Sequence, residues 1–171
     1  MFSILKKILF KIYISKNYRR DSSDVSARKS FEKNLDYTPL KKPNLTSPAQ
    51  IINKRITELN SLNKTNADIM IDSDLPKSTF NRIISDFQLN YLPKKENLIK
   101  LAIGLEYNLS QTLELLNLYG YTLSNSSMLD VTCSFFFTNW KYHDKDRGTA
   151  IGISELQSLL SDWTNIDIME R

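Results

Sequence analysis

The chain has very few of the residues that build reactive or cross-linked sites. It holds one cysteine, Cys133, and one histidine, His143, among 171 residues. A single cysteine excludes an intrachain disulfide framework. Cys133 lies in the apolar run Val131 to Phe137 and reads as a small buried hydrophobe, for which a reducing cytoplasm is the natural setting. His143 stands beside Asp144 and Asp146 in a polar stretch, with no second histidine or cysteine to complete a metal set, so it reads as a solvated loop residue. Asp68, Asp72 and Asp74 miss the spacing of a calcium loop, and no glutamate closes them. No G-x-x-x-x-G-K phosphate loop occurs. These absences leave no catalytic pattern, so neither an enzyme nor a cofactor is expected. Glycine is scarce, at four residues, and this with the dominant helical periodicities argues against a sheet. No apolar run reaches the roughly 20 residues of a membrane span. Met1 to Lys16 is apolar but broken by lysines, and no small-residue cleavage site follows, which argues against a signal peptide.

What is present fits a soluble globular protein: 41% hydrophobic and 25% charged residues. The expected fold class is all-α, a helical bundle preceded by a basic N-terminal helix and a flexible linker. Charge is unevenly spread. Residues 1–45 carry 11 Lys/Arg against 4 Asp/Glu, and residues 77–100 carry 5 against 2, whereas residues 101–171 carry 4 against 9. The two basic stretches suit polyanion contact, and the acidic C-terminal part suits a protein partner.

Four segments follow. Residues 1–16, MFSILKKILFKIYISK, form a basic amphipathic helix with Phe2, Leu5, Leu9 and Ile12 or Tyr13 on one face. Three readings stay open for it: packing on the bundle, weak contact with a membrane surface, or folding on a partner. Residues 17–46 are polar, with Pro39 and Pro43, and read as a flexible linker with short order near Phe31, Leu35 and Tyr37. Residues 47–106 form the central unit. Ser47-Pro48 starts a helix to about Leu59, with Ile51, Ile52, Ile56 and Leu59 inward. Residues 107–171 form a helical extension. Ser110 caps a helix through Leu118 (Leu113, Leu115 and Leu116 inward) that Gly120 stops. A further helix from Ser126 to Trp140 turns Leu129, Cys133, Phe136 and Phe137 inward. Lys141 to Gly152 is a loop. Ser154 caps a last helix, Glu155 to about Trp163, with Leu156, Leu159 and Leu160 inward.

Thr65 to Glu106 is the most specific stretch. Thr65 and Asn66 are good N-cap residues. Pro76 disfavours helix at Leu75, which ends the first short helix, and is well placed to start a second. In that second helix, Phe80, Ile83 and Ile84 make one apolar stripe. Lys77, Ser78, Asn81 and Arg82 lie on the other side. Pro93 starts a third helix whose inner face is Leu98, Leu101, Ala102 and Leu105. Two short helices joined by a tight turn, the second with one apolar and one donor-rich face, are what a major-groove reader requires.

These residues resemble the lambda-repressor-like (Xre/Cro) helix-turn-helix family. Thr65 to Asp86 follows without a gap its usual wording, roughly T-Q-E-E-L-A-x-x-x-G-V-S-x-S-T-I-S-R-I-E. Thr65 stands at the opening Thr, Ile69 at the Leu, Leu75 at the Val, Ser78-Thr79-Phe80 at S-T-I and Arg82-Ile83 at R-I. The likeness extends over about Ser47 to Trp140, and is similar to a branch with a C-terminal helical extension, found alone or fused to other domains, macro domains among them. The chain departs from the pattern at three places. Met70 replaces a small Ala at a close helix contact, which implies looser packing; Asp74 replaces the turn Gly; Ser73 replaces an apolar residue.

The resemblance implies a DNA-binding regulator with a recognition helix at about Lys77–Ser85. Lys77, Ser78, Thr79, Asn81 and Arg82 would face double-stranded DNA, with Thr65, Asn66, Lys94 and Lys95 at phosphates. A homodimer or protein contact through the C-terminal helices would accompany it. The alternative is an interaction module that retains the fold without reading DNA, an accessory of a defence, toxin–antitoxin or ADP-ribose-linked system. Met70, Asp74 and the acidic C-terminal part favour that alternative, and the Lys77–Arg82 face opposes it.

Overall fold

A computed structural model of the chain describes residues 4–18, 47–85, 91–139 and 152–169, with backbone alone at 4–7 and 163–169. Eight α-helices and no strand occur among them: α1 (Ile4–Asn17), α2 (Pro48–Ser61), α3 (Asn66–Asp72), α4 (Lys77–Ile84), α5 (Lys95–Gly104), α6 (Leu109–Leu118), α7 (Met128–Asn139) and α8 (Gly152–Met169). The all-α expectation holds. The linker core 19–46, including Phe31, Leu35 and Tyr37, lies outside the described residues, as do Asp86, Trp140 and the loop carrying His143, Asp144 and Asp146. So do the side chains of Phe2, Leu5 and Trp163.

Local chemistry sets most helix ends. Three helices open with a reciprocal capping box: Ser47 with Gln50, Thr65 with Asp68 and Asn108 with Gln111. The cap of α6 is therefore Asn108 rather than Ser110. Gln111 lies three residues beyond Asn108 and can return the bond, whereas Leu113, three beyond Ser110, cannot. Four helices end alike. In each, the residue after the C-cap is left-handed and the last carbonyls are closed by paired backbone bonds. These residues are Asn63 (φ 67°), Asp74 (φ 46°), Glu106 (φ 57°) and Gly120 (φ 76°). After α6, the Tyr121 N–H bonds the Leu116 carbonyl at 2.9 Å and Gly120 bonds Asn117 at 3.0 Å. Gly120 thus stops α6 as expected.

Two boundaries shift. The α7 helix begins at Met128, not Ser126, because the preceding serines close a turn: Ser126 N–H donates to Ser124 Oγ at 3.2 Å. The α8 helix begins at Gly152, ahead of Ser154, and runs past Trp163 to Met169. Gly152 and Ile153 are already buried, so packing extends the helix beyond the residue that would have capped it.

The buried side chains of α1 through α8 form one continuous cluster from Phe10 to Leu159. At its centre α5 packs against α3, α6 and α8, and buries Leu98, Ile99, Leu101, Ala102, Ile103 and Gly104. The other inner helix is α7, covered by α1, α6 and α8. Its Val131, Cys133, Phe135, Phe136 and Phe137 are all buried, which fits a helix apolar on most sides. Leu129 and Leu113, expected inward, are only half-buried. The places nearer the core go to Val131 on α7 and to Thr112 and Leu115 on α6.

The N-terminal helix packs on this bundle, but through a different face from the expected one. Phe10 and Ile14 are buried and Tyr13 half-buried, whereas Leu9 and Ile12 are exposed. The rings of Phe10 and Tyr13 lie 5.0 and 5.4 Å from that of Phe135. Contact of both rings with Phe135 fixes the helix rotation.

Candidate nucleic-acid interface

The α3–turn–α4 unit is pinned from three sides. At its start, Thr65 Oγ1 accepts from the Asp68 N–H and itself donates to Asp68 Oδ2 at 2.7 Å. That hydroxyl bond, and then the Thr65 N–H bond to the same carboxylate oxygen at 2.9 Å, hold the Asp68 carboxyl below its ordinary pKa. At the end of α3, Ser73 is fully buried and its Oγ donates to the Ile69 carbonyl at 2.6 Å. Ser73 sits directly against Gly104 of α5. A Cβ at Gly104 would lie 2.0 Å from Ser73 Oγ, so only glycine lets the two helices approach this closely. The looser packing expected from Met70 is therefore not what the structure shows. Met70 is half-buried against the core, and the close helix contact is made by Ser73 and Gly104 instead.

The left-handed turn residue Asp74 is tied to α5: Lys100 Nζ lies 2.6 Å from its carboxylate and 3.3 Å from its carbonyl oxygen. Beside it Lys64 Nζ contacts Asp72 Oδ2 and Glu106 Oε1, each at 2.8 Å, and donates to the Gly104 carbonyl at 2.9 Å. The Asp72 contact is a charge pairing without an aligned hydrogen bond, since that oxygen has no hydrogen-bond partner. Arg55 Nε adds a bond to the Leu105 carbonyl at 3.1 Å. Two cations thus complement the C-terminal end of α5, where the helix dipole is negative.

The second helix, α4, turns Phe80 and Ile83 into the core, with Leu75 buried just before it. Its last carbonyls have no partner within the helix, and Asn53 of α2 supplies one: Nδ2 donates to the Ile84 carbonyl at 2.8 Å. The opposite side faces out. Lys77, Ser78, Asn81 and Arg82 are exposed, and Thr79 is half-buried. The helix KSTFNRII contains no acidic residue. The Arg82 guanidinium lies 5.8 Å from the Tyr91 ring centre, a stacking contact that leaves its nitrogen donors unpaired. Among the described residues, none of the four exposed side chains enters an ion pair or a side-chain hydrogen bond.

The remaining expected phosphate contacts divide. Lys94 is exposed at the start of α5 and unpaired among the described residues. Asn66 keeps its amide donors, while its Oδ1 accepts from Asn60 at 3.1 Å. Thr65 is exposed, and its hydroxyl is engaged in the capping box with Asp68. Lys95 is half-buried, and its Nζ lies 2.6 Å from the buried Asp130 carboxylate at the start of α7. A buried carboxylate holds the nearest ammonium, and Lys95 ties two helices together instead of facing outward.

Several supporting residues carry no sequence signal. Asn53, Lys64, Lys100 and Asp130 act over 26 to 42 residues of chain, and nothing local marks them. Cys133 is fully buried, with desolvation pushing its thiol up to about 12, so it acts as a small hydrophobe. Among the described residues no group of three or more His, Cys, Asp or Glu could hold a metal ion, and no helix is long and apolar enough to cross a membrane. No family model, curated protein or solved structure matches the chain.

Proposed function

We propose that this chain is a DNA-binding regulator of the helix-turn-helix type, with α4 in the major groove. The observation that carries this reading is the outward side of α4. Lys77, Ser78, Asn81 and Arg82 are exposed donors, free of carboxylate partners among the described residues. They stand on a helix pinned by Asn53 and by its own apolar stripe. Arginine can bond guanine bidentately and asparagine adenine, while lysine neutralises phosphate.

A second feature supports the reading. The helices α2, α3 and α6 carry full capping boxes, yet α4 and α5 have no side-chain cap and begin with Lys77 and with Lys94-Lys95. A cation at a positive helix end is unfavourable by a few tenths of a kcal/mol to about 1. In α5 Glu96 of the first turn offsets part of that cost, whereas the first turn of α4 has no acidic residue and a bound anion would offset it there. Residues Lys77 and Lys94 are the ones left to hold phosphate. Repressors of this kind bind as dimers on half-sites one helical turn apart. None of the exposed large hydrophobics lies on the described parts of α6 to α8, so a dimer contact there would be mainly polar.

The test is fluorescence anisotropy of the full chain with a random duplex and with the DNA upstream of its own coding sequence, at two salt concentrations. Salt-dependent binding that prefers one sequence is expected. Arg82→Ala should weaken the preferred complex by about 1–3 kcal/mol, and Lys77→Ala should weaken all duplexes alike and reduce the salt slope by about 1. Unchanged affinity in Arg82→Ala at fixed salt would show that α4 is not the reading surface.

One observation favours the interaction-module reading: Thr65 and Lys95 are committed internally, which removes two of the expected phosphate contacts. A tight protein complex with no DNA affinity at low salt would decide for it.

A further inference from the structure

Three of the six exposed large hydrophobics among the described residues lie together on the outer side of α1. The helix is already anchored to α7 by Phe10 and Tyr13, with Ile14 also buried, so Ile8, Leu9 and Ile12 are surplus to that contact. They are 48%, 47% and 46% exposed. They occupy adjacent positions one turn apart and form a single aliphatic ridge. Lys11 and Lys16 are exposed beside it, Lys6 and Lys7 belong to the same helix, and α1 contains no acidic residue. A helix apolar on two sides, with only cationic charges, calls for a cover that is both apolar and negative.

We propose that α1 lies on the surface of an anionic phospholipid bilayer. The ridge Ile8–Leu9–Ile12 would enter the boundary between headgroups and acyl chains, and the lysines would pair with lipid phosphates. Charge complementarity selects this occupant. A second copy docking by two-fold symmetry would set lysines against lysines. A DNA backbone would attract the lysines but leave the three aliphatic side chains uncovered. Insertion across the membrane is not part of the proposal, because Lys6, Lys7, Lys11 and Lys16 interrupt the apolar residues of α1. The proposal is independent of what α4 binds.

The experiment is cosedimentation of the full chain with vesicles of phosphatidylcholine alone and of phosphatidylcholine with phosphatidylglycerol, at low and high salt. Partitioning onto the anionic vesicles should exceed that onto the neutral ones by at least about tenfold and should fall with salt. The triple variant Ile8→Gln/Leu9→Gln/Ile12→Gln should lose at least about tenfold of that partitioning while keeping its far-ultraviolet circular dichroism. A second variant, Lys11→Glu/Lys16→Glu, leaves the ridge intact and should lose the preference for anionic lipid, which covers the case in which the triple variant misfolds. Equal binding to both vesicle types, or full binding by the triple variant, would overturn the proposal. So would no binding at all, or a wild-type dimer in sedimentation equilibrium that the triple variant converts to monomer.

Discussion

Gly104→Ala should destabilise this protein although the same change in most helices does the opposite. Alanine in place of glycine is worth about 1 kcal/mol in favour of the fold in a helix interior, and at most that at Gly104, the last residue of α5. Here the new Cβ would stand 2.0 Å from Ser73 Oγ and 2.5 Å from the Ile69 carbonyl oxygen. The hydroxyl is buried and held by its own bond to Ile69, and the carbonyl belongs to the backbone of α3. Neither can give way without moving α3 off α5. Overpacking a well-filled contact costs about 1–3 kcal/mol, and a clash with backbone belongs at the upper end. Subtracting the propensity gain leaves a net loss of about 2 kcal/mol. With a urea dependence of about 2 kcal/mol/M, the unfolding midpoint should fall by about 1 M, with Tm lower by roughly 4–8 °C. Ser73→Ala removes the shorter contact, so in the double variant the two losses should be less than additive by at least about 0.5 kcal/mol. Gly120→Ala is the control. It loses stability through its left-handed φ of 76° alone, with no atom within 4 Å of the new Cβ, and it should show no coupling to Ser73→Ala. A Gly104→Ala protein as stable as wild type, or strict additivity with Ser73→Ala, would refute the close approach of α3 and α5.

Three further outcomes are expected. Lys64→Met leaves the carboxylates of Asp72 and Glu106, 7% and 9% exposed, without their shared cation and should cost about 3–5 kcal/mol in a urea titration; a smaller loss than that of an exposed-lysine control would mean the cluster is solvated. Asp68 has a folded pKa below its ordinary 3.8, so the stability it lends the start of α3 is complete above that value and is lost as pH falls through the lower folded one. Asp68→Asn should flatten this part of the acid unfolding profile, and an unchanged profile would rule the capping box out. The Cys133 thiol, buried and pushed up to about 12, should react with a disulfide reagent at mildly alkaline pH only as fast as the protein opens; a rapid reaction under native conditions would contradict its burial.

Sequence reading located the short-range features well. The starts at Ser47 and Thr65, the break at Pro76, the helix after Pro93 and the stop at Gly120 all follow from side-chain and backbone chemistry within a few residues. It failed where two local solutions compete and a distant contact decides. Ser110 and Asn108 are both acceptable caps, and only Gln111 separates them. The α1 stripe through Leu9 and Ile12 is as regular as the one through Phe10 and Ile14. The Phe135 ring, far along the chain, selects the second. Lys95 reads as a phosphate ligand by position and composition alike, and nothing near it announces that Asp130 will bury against it. The outward side of α4 was legible because amphipathic spacing alone fixes which side of a short helix is buried.

The three departures from the helix-turn-helix wording show how a locally weak feature is repaired at long range. A residue with a left-handed backbone costs about 1–2 kcal/mol unless it is glycine or, less expensively, Asn or Asp. Asp74 is such a residue, and Lys100 binds both its carboxylate and its carbonyl oxygen. Ser73 would leave a buried hydroxyl unsatisfied in an apolar contact, but it bonds Ile69 within its own helix. The small residue that a close helix crossing needs is missing at Met70, and it is supplied from the opposite helix at Gly104. Each departure therefore has a partner on α5 or on α3 itself. A variant that restores one residue of the wording, such as Ser73→Val, would set a larger side chain against Gly104 and Ile69 and tighten a contact that has no room. Ser73, Asp74 and Met70 form one packing solution with Gly104 and Lys100, and that solution leaves Lys77, Ser78, Asn81 and Arg82 of α4 exposed.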